Sequence, residues 1–451
     1  MTGASSPFRL PRAPEPRPWK RALAWLALLA PVFFASYGFA NWAASLRAQV
    51  GAVVFDWERS IPFLAWSIVP YWTIDALYGL SLLVCATRAE VDTLGRRLLL
   101  AQAICVTVFL AFPLRFTFAR PETDGVFGWM FDVLTGFDKP FNQAPSLHIA
   151  LLVILWLVYL RRLPDRWRWL VHGWFALIGA SVLTTYQHHF VDVPTGLLAG
   201  WLCVWLVPDE GDSPLRAAGL ASDPRRHKLA AGYAAGAAAA AAVALYLGGW
   251  ALWLLWIAVS LAFVSAIYAF LDERAFQKAA DGSMSPAARW LLAPYLAGAW
   301  LNSRWWTRSS PLPDAVLPGL LIGRIPTRAE RDAHGVRSVV DMTAELPFAA
   351  SGVRYISVPQ LDLTTPSAGQ LERAVRAIES AMVAGPVLVC CALGYSRSAA
   401  AVAAWLVATG RAAAAVEAVE QVRRARPAAV LGPELVEAVD RFVHRMRERA
   451  A

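Results

Sequence analysis

Residues 387–398 have the sequence V-L-V-C-C-A-L-G-Y-S-R-S, and this stretch decides the fold of the C-terminal part of the chain. An apolar run leads into Cys391, five residues follow, and Arg397 and Ser398 open a second apolar segment. The pattern predicts a strand, a tight loop and a helix. Backbone N–H groups of such a loop converge on the positive end of the helix, where they bind an anion and favour a thiolate.

Arg397 adds the second element of a phosphate site, because a guanidinium forks onto two phosphate oxygens. A thiolate, an anion cradle and an arginine together cleave phosphoesters. The alternative is that Cys390 and Cys391 are ordinary buried strand residues, which is the usual role of a lone cysteine. The strand, the spacing, the glycine and the following helix all favour the catalytic interpretation.

The segment C-A-L-G-Y-S-R-S resembles the C-x5-R-S/T signature of the dual-specificity (cysteine-based) phosphatases, and the resemblance covers roughly residues 311–451. It implies that Cys391 is the nucleophile and that Ser398 helps the sulfur to leave. It also implies that the loop between Cys391 and Arg397 binds phosphate, through Ala392, Leu393, Gly394, Tyr395 and Ser396. The usual histidine before the nucleophile is Cys390 here, which either alters the pKa of the thiolate or offers a nearby resolving thiol on oxidation.

A cysteine phosphatase also needs a general acid. The stretch V-P-Q-L-D-L-T-T-P-S places Asp362 on a loop before a helix, in the slot of the family's acid loop. The resemblance therefore implies that Asp362 is the acid, and Asp341, at the end of an earlier strand, is the rival candidate. The cysteine loop contains no Lys or His, which favours a single phosphate on a lipid headgroup or a phosphotyrosine over multiply phosphorylated inositols.

Composition predicts a membrane protein. The chain of 451 residues is 57% hydrophobic and contains 21 tryptophans, which indicates membrane spans. The net charge of +9 does not indicate nucleic-acid binding, because the basic residues cluster between apolar runs. About eight spans are predicted, near residues 22–44, 62–85, 96–113, 147–161, 167–186, 193–207, 229–247 and 250–271.

The basic loops fall on one side, so we expect the N-terminus and the C-terminal phosphatase domain to be cytoplasmic. The predicted segments are a cytoplasmic tail (1–20), a membrane domain (21–210), a linker (211–228), two further spans (229–271), a juxtamembrane linker (272–310) and a phosphatase-like domain (311–451). The tryptophan-rich juxtamembrane linker is either an interfacial helix or a segment packed on the domain. From residue 311 the pattern predicts strands at 319–323, 336–341, 353–358 and 386–390, and helices near 328–334, 367–383, 397–409, 412–425 and 433–448.

The membrane half carries a second constellation on the opposite face. P-S-L-H opens the fourth span at residues 145–148, and His188 and Asp192 are four residues apart after the fifth. That spacing places an imidazole beside a carboxylate on one helical turn. Ionisable residues at the ends of spans are costly unless they serve a function. No metal-ligand spacing accompanies them, so we expect neither metal nor cofactor.

These segments resemble the type-2 phosphatidic acid phosphatase superfamily, within it the branch of the inositol phosphorylceramide synthases, over about residues 50–210. The resemblance implies that His188 attacks phosphorus, Asp192 orients it and His148 protonates the leaving group. It also implies phosphate binding by Arg120 and Ser146. Pro113 stands where the family has a phosphate-binding lysine, with Arg115 as its substitute. Val182 stands where the family has a phosphate-binding arginine. Fewer cations leave room for a headgroup transferase.

The sequence thus predicts a multi-pass α-helical membrane bundle, with a six-helix phosphatidic acid phosphatase-type core, followed by a soluble α/β cysteine-phosphatase domain. The predicted function is a bifunctional membrane phosphatase acting on membrane phospholipids or lipid phosphates, with phosphoproteins as alternative partners. Two other hypotheses stay open: the membrane half transfers a phospholipid headgroup, or the cytoplasmic domain is a non-catalytic phosphate sensor.

Overall fold

The computed structural model describes residues 16–216 and 218–450, so most of the predicted tail at 1–20 lies outside the described residues. The chain forms two compact units that meet in sequence after Ser213.

The described part of the first unit, residues 16–213, contains seven α-helices: α1 Trp19–Ser45, α2 Ile68–Leu83, α3 Arg88–Ala111, α4 Gly125–Phe137, α5 Leu147–Arg162, α6 Arg168–Thr184 and α7 Asp192–Leu206. The six predicted spans of this unit are all helical, and α4 was not predicted. In the described residues of the whole chain, four helices are long and apolar enough to cross a membrane, namely α1, α3, and the two helices of a hairpin in the second unit. The other four predicted spans are helices of 15 to 17 residues.

Helices α5 and α7 approach each other closely because glycines face the contact. A Cβ atom on Gly196 would lie 2.6 Å from the Ser146 carbonyl oxygen, and one on Gly200 would lie 2.8 Å from the Ala150 carbonyl oxygen. Such small-residue spacing lets helix backbones pack together in membranes. At the same end the Ser146 N–H donates to the Asp192 carbonyl, at 3.1 Å. The contact therefore joins the two segments that carry the predicted histidines.

The second unit begins with four helices: α8 Pro224–Leu247, α9 Leu254–Ala269, α10 Pro286–Leu291 and α11 Ala293–Trp306. The first two form the predicted hairpin of spans. Helix α11 lies in the predicted juxtamembrane linker, and it has features both of an interfacial helix and of a segment packed on the domain. Its Ser303 hydroxyl is buried and donates to the Ala392 carbonyl of the cysteine loop, whereas Trp300, Trp305 and Trp306 are exposed.

A five-stranded sheet follows, made of β1 Asp314–Leu317, β2 Leu320–Arg324, β3 Ser338–Thr343, β4 Arg354–Gln360 and β5 Val387–Cys391. Its order is β1-β2-β5-β3-β4, with β1 antiparallel and the other pairs parallel. The remaining helices are α12 Arg328–Ala333, α13 Ala368–Met382, α14 Arg397–Ala408, α15 Ala415–Ala425 and α16 Pro433–Ala450. The four predicted strands are present, and the four-residue β1 was not predicted. Strand β5 is central in the sheet, so the loop after its carboxyl end lies between the ends of the neighbouring strands. Ligand-binding sites of α/β folds lie at this edge of the sheet.

Candidate active sites

The cysteine loop runs from the end of β5 to the start of α14, as the sequence predicts. The Gly394 N–H donates to the Cys391 Sγ at 3.2 Å, and the Ser398 hydroxyl lies 3.3 Å from the same sulfur. Gly394 has a φ of +73°, and a Cβ there would lie 2.3 Å from the Gly323 carbonyl carbon. Only glycine fits this turn. Donors that converge on a sulfur stabilise its thiolate form.

Arg397 is buried and held by groups from two other strand ends. Its Nη1 and Nη2 donate to the two carboxylate oxygens of Glu345 at 2.8 and 2.6 Å, and Nη2 also lies 3.1 Å from Asp362 Oδ1. Nη1 donates a further bond to the Gln360 carbonyl, at 2.9 Å. Burial alone would raise the pKa of Glu345, but the Arg397 guanidinium outweighs burial and lowers it. The guanidinium is therefore oriented before any phosphate arrives.

Sequence reasoning missed Glu345. The available signal was its position in T-A-E, two residues after the carboxyl end of β3, the edge of the sheet where the cysteine loop also lies.

Asp362 lies beside Arg397 with its side chain partly exposed. Burial raises the pKa of Asp362, the Arg397 guanidinium opposes this, and the Glu345 carboxylate adds to it, so that the pKa lies above its ordinary value. A raised pKa suits a general acid. The next residue, Leu363, has a left-handed φ of +56°, a strained conformation typical of functional loops.

The rival Asp341 occupies a different environment. It is fully buried, and its Oδ2 accepts from Lys278 Nζ at 2.6 Å and from the Tyr355 hydroxyl at 2.8 Å. Neither contact involves Arg397 or the cysteine loop, so both contribute to the packing of the fold. The structure thus places Asp362, and not Asp341, at the arginine.

Cys390 is fully buried, and burial raises the pKa of its thiol well above the ordinary value. It packs with Val339 and Leu388, whereas Cys391 belongs to the core on the other face of the sheet. Consecutive strand residues point to opposite faces, so the structure does not place the predicted resolving thiol beside the Cys391 sulfur.

The histidine site of the first unit lies where α5 and α7 begin. His188 Nδ1 is 3.1 Å from Asp192 Oδ2, and His188 Nε2 is 3.1 Å from the Ser146 hydroxyl. All three side chains are buried. The carboxylate contact fixes the orientation of the ring and presents Nε2 on the side of Ser146, which is the arrangement that an imidazole nucleophile requires.

His148 stacks on Tyr71 with ring centroids 4.2 Å apart. Within the described chain its Nε2 is buried and has no hydrogen-bond partner. Arg120 donates from Nε to the Thr185 carbonyl at 3.3 Å and lies over the Phe131 ring. Arg115 is exposed. The structure thus gathers His148, His188 and Arg120 in one region and leaves Arg115 at the surface.

Two further residues near this site were not predicted. Glu58 is buried and pairs with the buried His189 Nδ1 at 2.9 Å, so this pair anchors the loop between α6 and α7. Asp138 accepts from the Tyr37 hydroxyl at 2.8 Å and interacts electrostatically with His188 and Arg120. Of the described residues, no cluster of histidine, cysteine, aspartate or glutamate is placed to hold a metal ion.

Comparison with known families assigns both halves. Residues 324–442 match the model of the dual specificity phosphatase catalytic domain, and residues 95–209 match that of the PAP2 superfamily. These two domain matches support a bifunctional phosphatase, and the helices long and apolar enough to cross a membrane are consistent with membrane association. The chain carries a PAP2 superfamily domain followed by a dual specificity phosphatase catalytic domain, as its sequence predicted.

Several solved structures are similar to the C-terminal domain. Tk-PTP in its active form is 30% identical, with 30% of this chain and 99% of that chain covered and a TM-score of 0.28. Human DUSP28 is 26% identical, with 31% and 99% covered and the same TM-score of 0.28. PTPMT1 is 25% identical, with 31% and 98% covered and a TM-score of 0.28.

Proposed function

We propose that the cysteine site hydrolyses the phosphate monoester of a membrane lipid. One contact supports this choice over a phosphoprotein: the Tyr268 hydroxyl donates to the Asp362 carbonyl at 3.0 Å. Tyr268 lies near the end of α9, which is part of the 21-residue helical segment Gly249–Ala269 that is long and apolar enough to span a membrane. A spanning helix that touches the acid loop holds this loop at the bilayer surface, where a lipid phosphate is concentrated and a folded phosphoprotein has poor access.

The chemistry follows from the positions of the side chains. The Cys391 thiolate attacks phosphorus, the ester bond breaks, and Asp362 gives its proton to the leaving lipid oxygen. Asp362 then takes a proton from water, which attacks the thiophosphate and releases inorganic phosphate. Arg397 Nε has no partner in the described residues, so this donor is available for a phosphate oxygen while Glu345 keeps the guanidinium in place.

The test compares substrates in one preparation. The full-length protein with His188→Ala, which removes the proposed hydrolysis at the PAP2 site, is assayed in phosphatidylcholine vesicles with phosphatidic acid, with a soluble phosphotyrosine peptide and with p-nitrophenyl phosphate. Cys391→Ser and Tyr268→Phe are added to this background. We expect the lipid to have the highest kcat/KM, all turnover of the small ester to require Cys391, and Tyr268→Phe to lower lipid turnover about fivefold, since one hydrogen bond contributes about 1 kcal/mol. Peptide turnover equal to lipid turnover would refute the lipid assignment. Turnover unchanged by Cys391→Ser would instead support the sensor hypothesis.

For the PAP2 half we propose lipid phosphate hydrolysis on the extracytoplasmic face, the side opposite the basic loops. His188 attacks phosphorus through Nε2, Asp192 holds the ring, and Arg120 binds phosphate oxygens. His148 protonates the leaving oxygen through Nε2, an atom that has no hydrogen-bond partner among the described residues. Water then cleaves the phosphohistidine.

Asp138 favours headgroup transfer as a second candidate function for this half. A half-buried carboxylate beside phosphate-binding groups repels the phosphate but accepts hydrogen bonds from an alcohol, and can orient a hydroxyl-rich acceptor. Product analysis with a phospholipid and an alcohol acceptor separates the two. In a Cys391→Ser background, hydrolysis at this half releases phosphate that is lost with His188→Ala, whereas transfer yields a new headgroup-bearing lipid that is lost with His188→Ala and with Asp138→Asn.

A further inference from the structure

The second unit contains a cavity that the cysteine chemistry does not use. It has a volume of about 580 Å³ and is lined by α10, α11, residues 325–331 and residues 346–351. No residue of the loop from Cys391 to Arg397 lines it. The cavity nevertheless adjoins the catalytic machinery, because Leu346 in its wall directly follows Glu345, which holds Arg397.

The polar part of the lining is cationic. Arg289, Arg304, Arg328 and Arg331 line the cavity, and the lining formed by described residues includes no aspartate or glutamate. Arg331 is only 3% exposed, and its Nε has no hydrogen-bond partner in the described chain; the buried Nε of Arg304 is in the same state. Unsatisfied buried guanidinium donors are costly unless an anion occupies the site.

The rest of the lining is apolar. Leu296, Trp300, Ile325 and Phe348 contribute to the walls. Trp300, Leu301, Trp305 and Trp306 are exposed on the same helix α11, and tryptophans are enriched where protein meets the membrane interface. The cavity therefore offers arginine donors beside an apolar wall on a helix with an interfacial composition.

We propose that this cavity binds the phosphate of an anionic phospholipid, distinct from the substrate, with the glycerol and upper acyl carbons against the apolar wall. Arginines supply the charge-assisted hydrogen bonds that phosphate prefers. The apolar wall distinguishes a lipid from a free anion. Because Leu346 lines the cavity, the bound lipid contacts the loop that positions Glu345.

The experiment uses the full-length protein in phosphatidylcholine nanodiscs that contain a small fraction of photo-reactive phosphatidylglycerol, with labelled peptides identified by mass spectrometry. The test variant is Arg289→Gln with Arg328→Gln, both exposed, so that the fold is not at risk. The control is Arg376→Gln with Arg441→Gln, which are exposed arginines with i,i+4 acidic partners, as Arg328 has. Thermal unfolding checks that each protein is folded.

We expect labelling of peptides from 289–304 and 346–351 that falls at least about tenfold in the test variant, since each interfacial arginine contributes several-fold to anionic-lipid binding, and stays at the wild-type level in the control. Unlabelled phosphatidylglycerol should compete and inorganic phosphate should not. Equal loss in both variants, or no label in these peptides, overturns the site. Competition by inorganic phosphate at the same concentration overturns the lipid and leaves a free-anion site.

Discussion

Lys278→Met should destabilise the phosphatase domain strongly, although the residue lies outside the sheet. Lys278 Nζ contacts Asp341 Oδ2 at 2.6 Å, with exposed side-chain fractions of 1% and 0%. It also donates to the hydroxyl and the carbonyl of Thr343, at 2.8 and 2.9 Å. The lysine comes from the segment just after the membrane hairpin, so this pair ties that segment to β3.

The expected loss of stability follows from two opposing contributions to the free energy, the attraction between the two charges and the cost of removing them from water. At this distance the attraction is about 6 kcal/mol for an effective dielectric of about 20, and it is offset by a desolvation penalty of several kcal/mol for each ion. The intact pair therefore contributes little net stability. Removal of one partner leaves an uncompensated buried charge and costs about 3–5 kcal/mol, which lowers the unfolding temperature by about 10 °C for a unit of this size.

The assay is the midpoint temperature at which the full-length protein loses p-nitrophenyl phosphatase activity on heating. Four proteins are compared: wild type, Lys278→Met, Asp341→Asn and the double variant, with Arg376→Met as a control for an exposed pair. The double variant should regain much of the loss, because no unpaired charge remains buried. A double variant as unstable as the two single losses added together, or Lys278→Met equal to the control, would refute the reasoning.

Three further predictions concern the two sites. Glu345→Gln removes a negative charge that raises the pKa of Asp362. Since the proposed role of Asp362 requires its protonated form, the basic limb of the kcat/KM–pH profile should move to lower pH. An unmoved limb would leave Glu345 a merely structural role. Gly196→Ala inserts a Cβ 2.6 Å from a backbone oxygen of α5, so PAP2-dependent activity should fall about tenfold or more, whereas Gly173→Ala, with open space around it, should be unchanged. Gly394→Ala forces a side chain into a left-handed turn against the β2 backbone, so phosphatase turnover of the small ester should fall more than tenfold; retained turnover would show that the loop tolerates a shift.

The parts of the sites that the sequence predicted are those encoded locally. The cysteine loop is one continuous stretch, and His188 and Asp192 are only four residues apart. The expected helical turn is absent, because His188 lies in the loop before α7 and Asp192 is the first residue of that helix, but the short spacing still indicates their contact. Periodicity likewise predicted the hairpin and the buried parallel strands. Apolar length alone predicts about eight membrane crossings, but four of these runs are helices of 15 to 17 residues, shorter than the ~20 residues that span a bilayer.

The parts that the sequence did not predict depend on pairs distant along the chain. Glu345 and Arg397 are 52 residues apart, and Lys278 and Asp341 are 63 apart. No local pattern marks such pairs, because strand order decides which loops meet. Asp138 and Tyr37 are separated by 101 residues for the same reason. The edge strand β1 has only four residues, too few for an alternating pattern.

The contacts of Arg397 indicate how substrate binding would protonate Asp362, the proposed catalytic acid. Glu345 binds the guanidinium through both oxygens, whereas Asp362 makes a single contact at 3.1 Å and is partly exposed. A phosphate dianion that takes Nε and Nη2 must therefore displace Asp362 and not Glu345. The displaced carboxyl then lies beside a dianion and beside Glu345, and like charges favour its protonated form. Because Tyr268 holds the backbone carbonyl of Asp362, the side chain can exchange contacts while the loop stays in place, so binding of the phosphate itself prepares the proton that the leaving group needs.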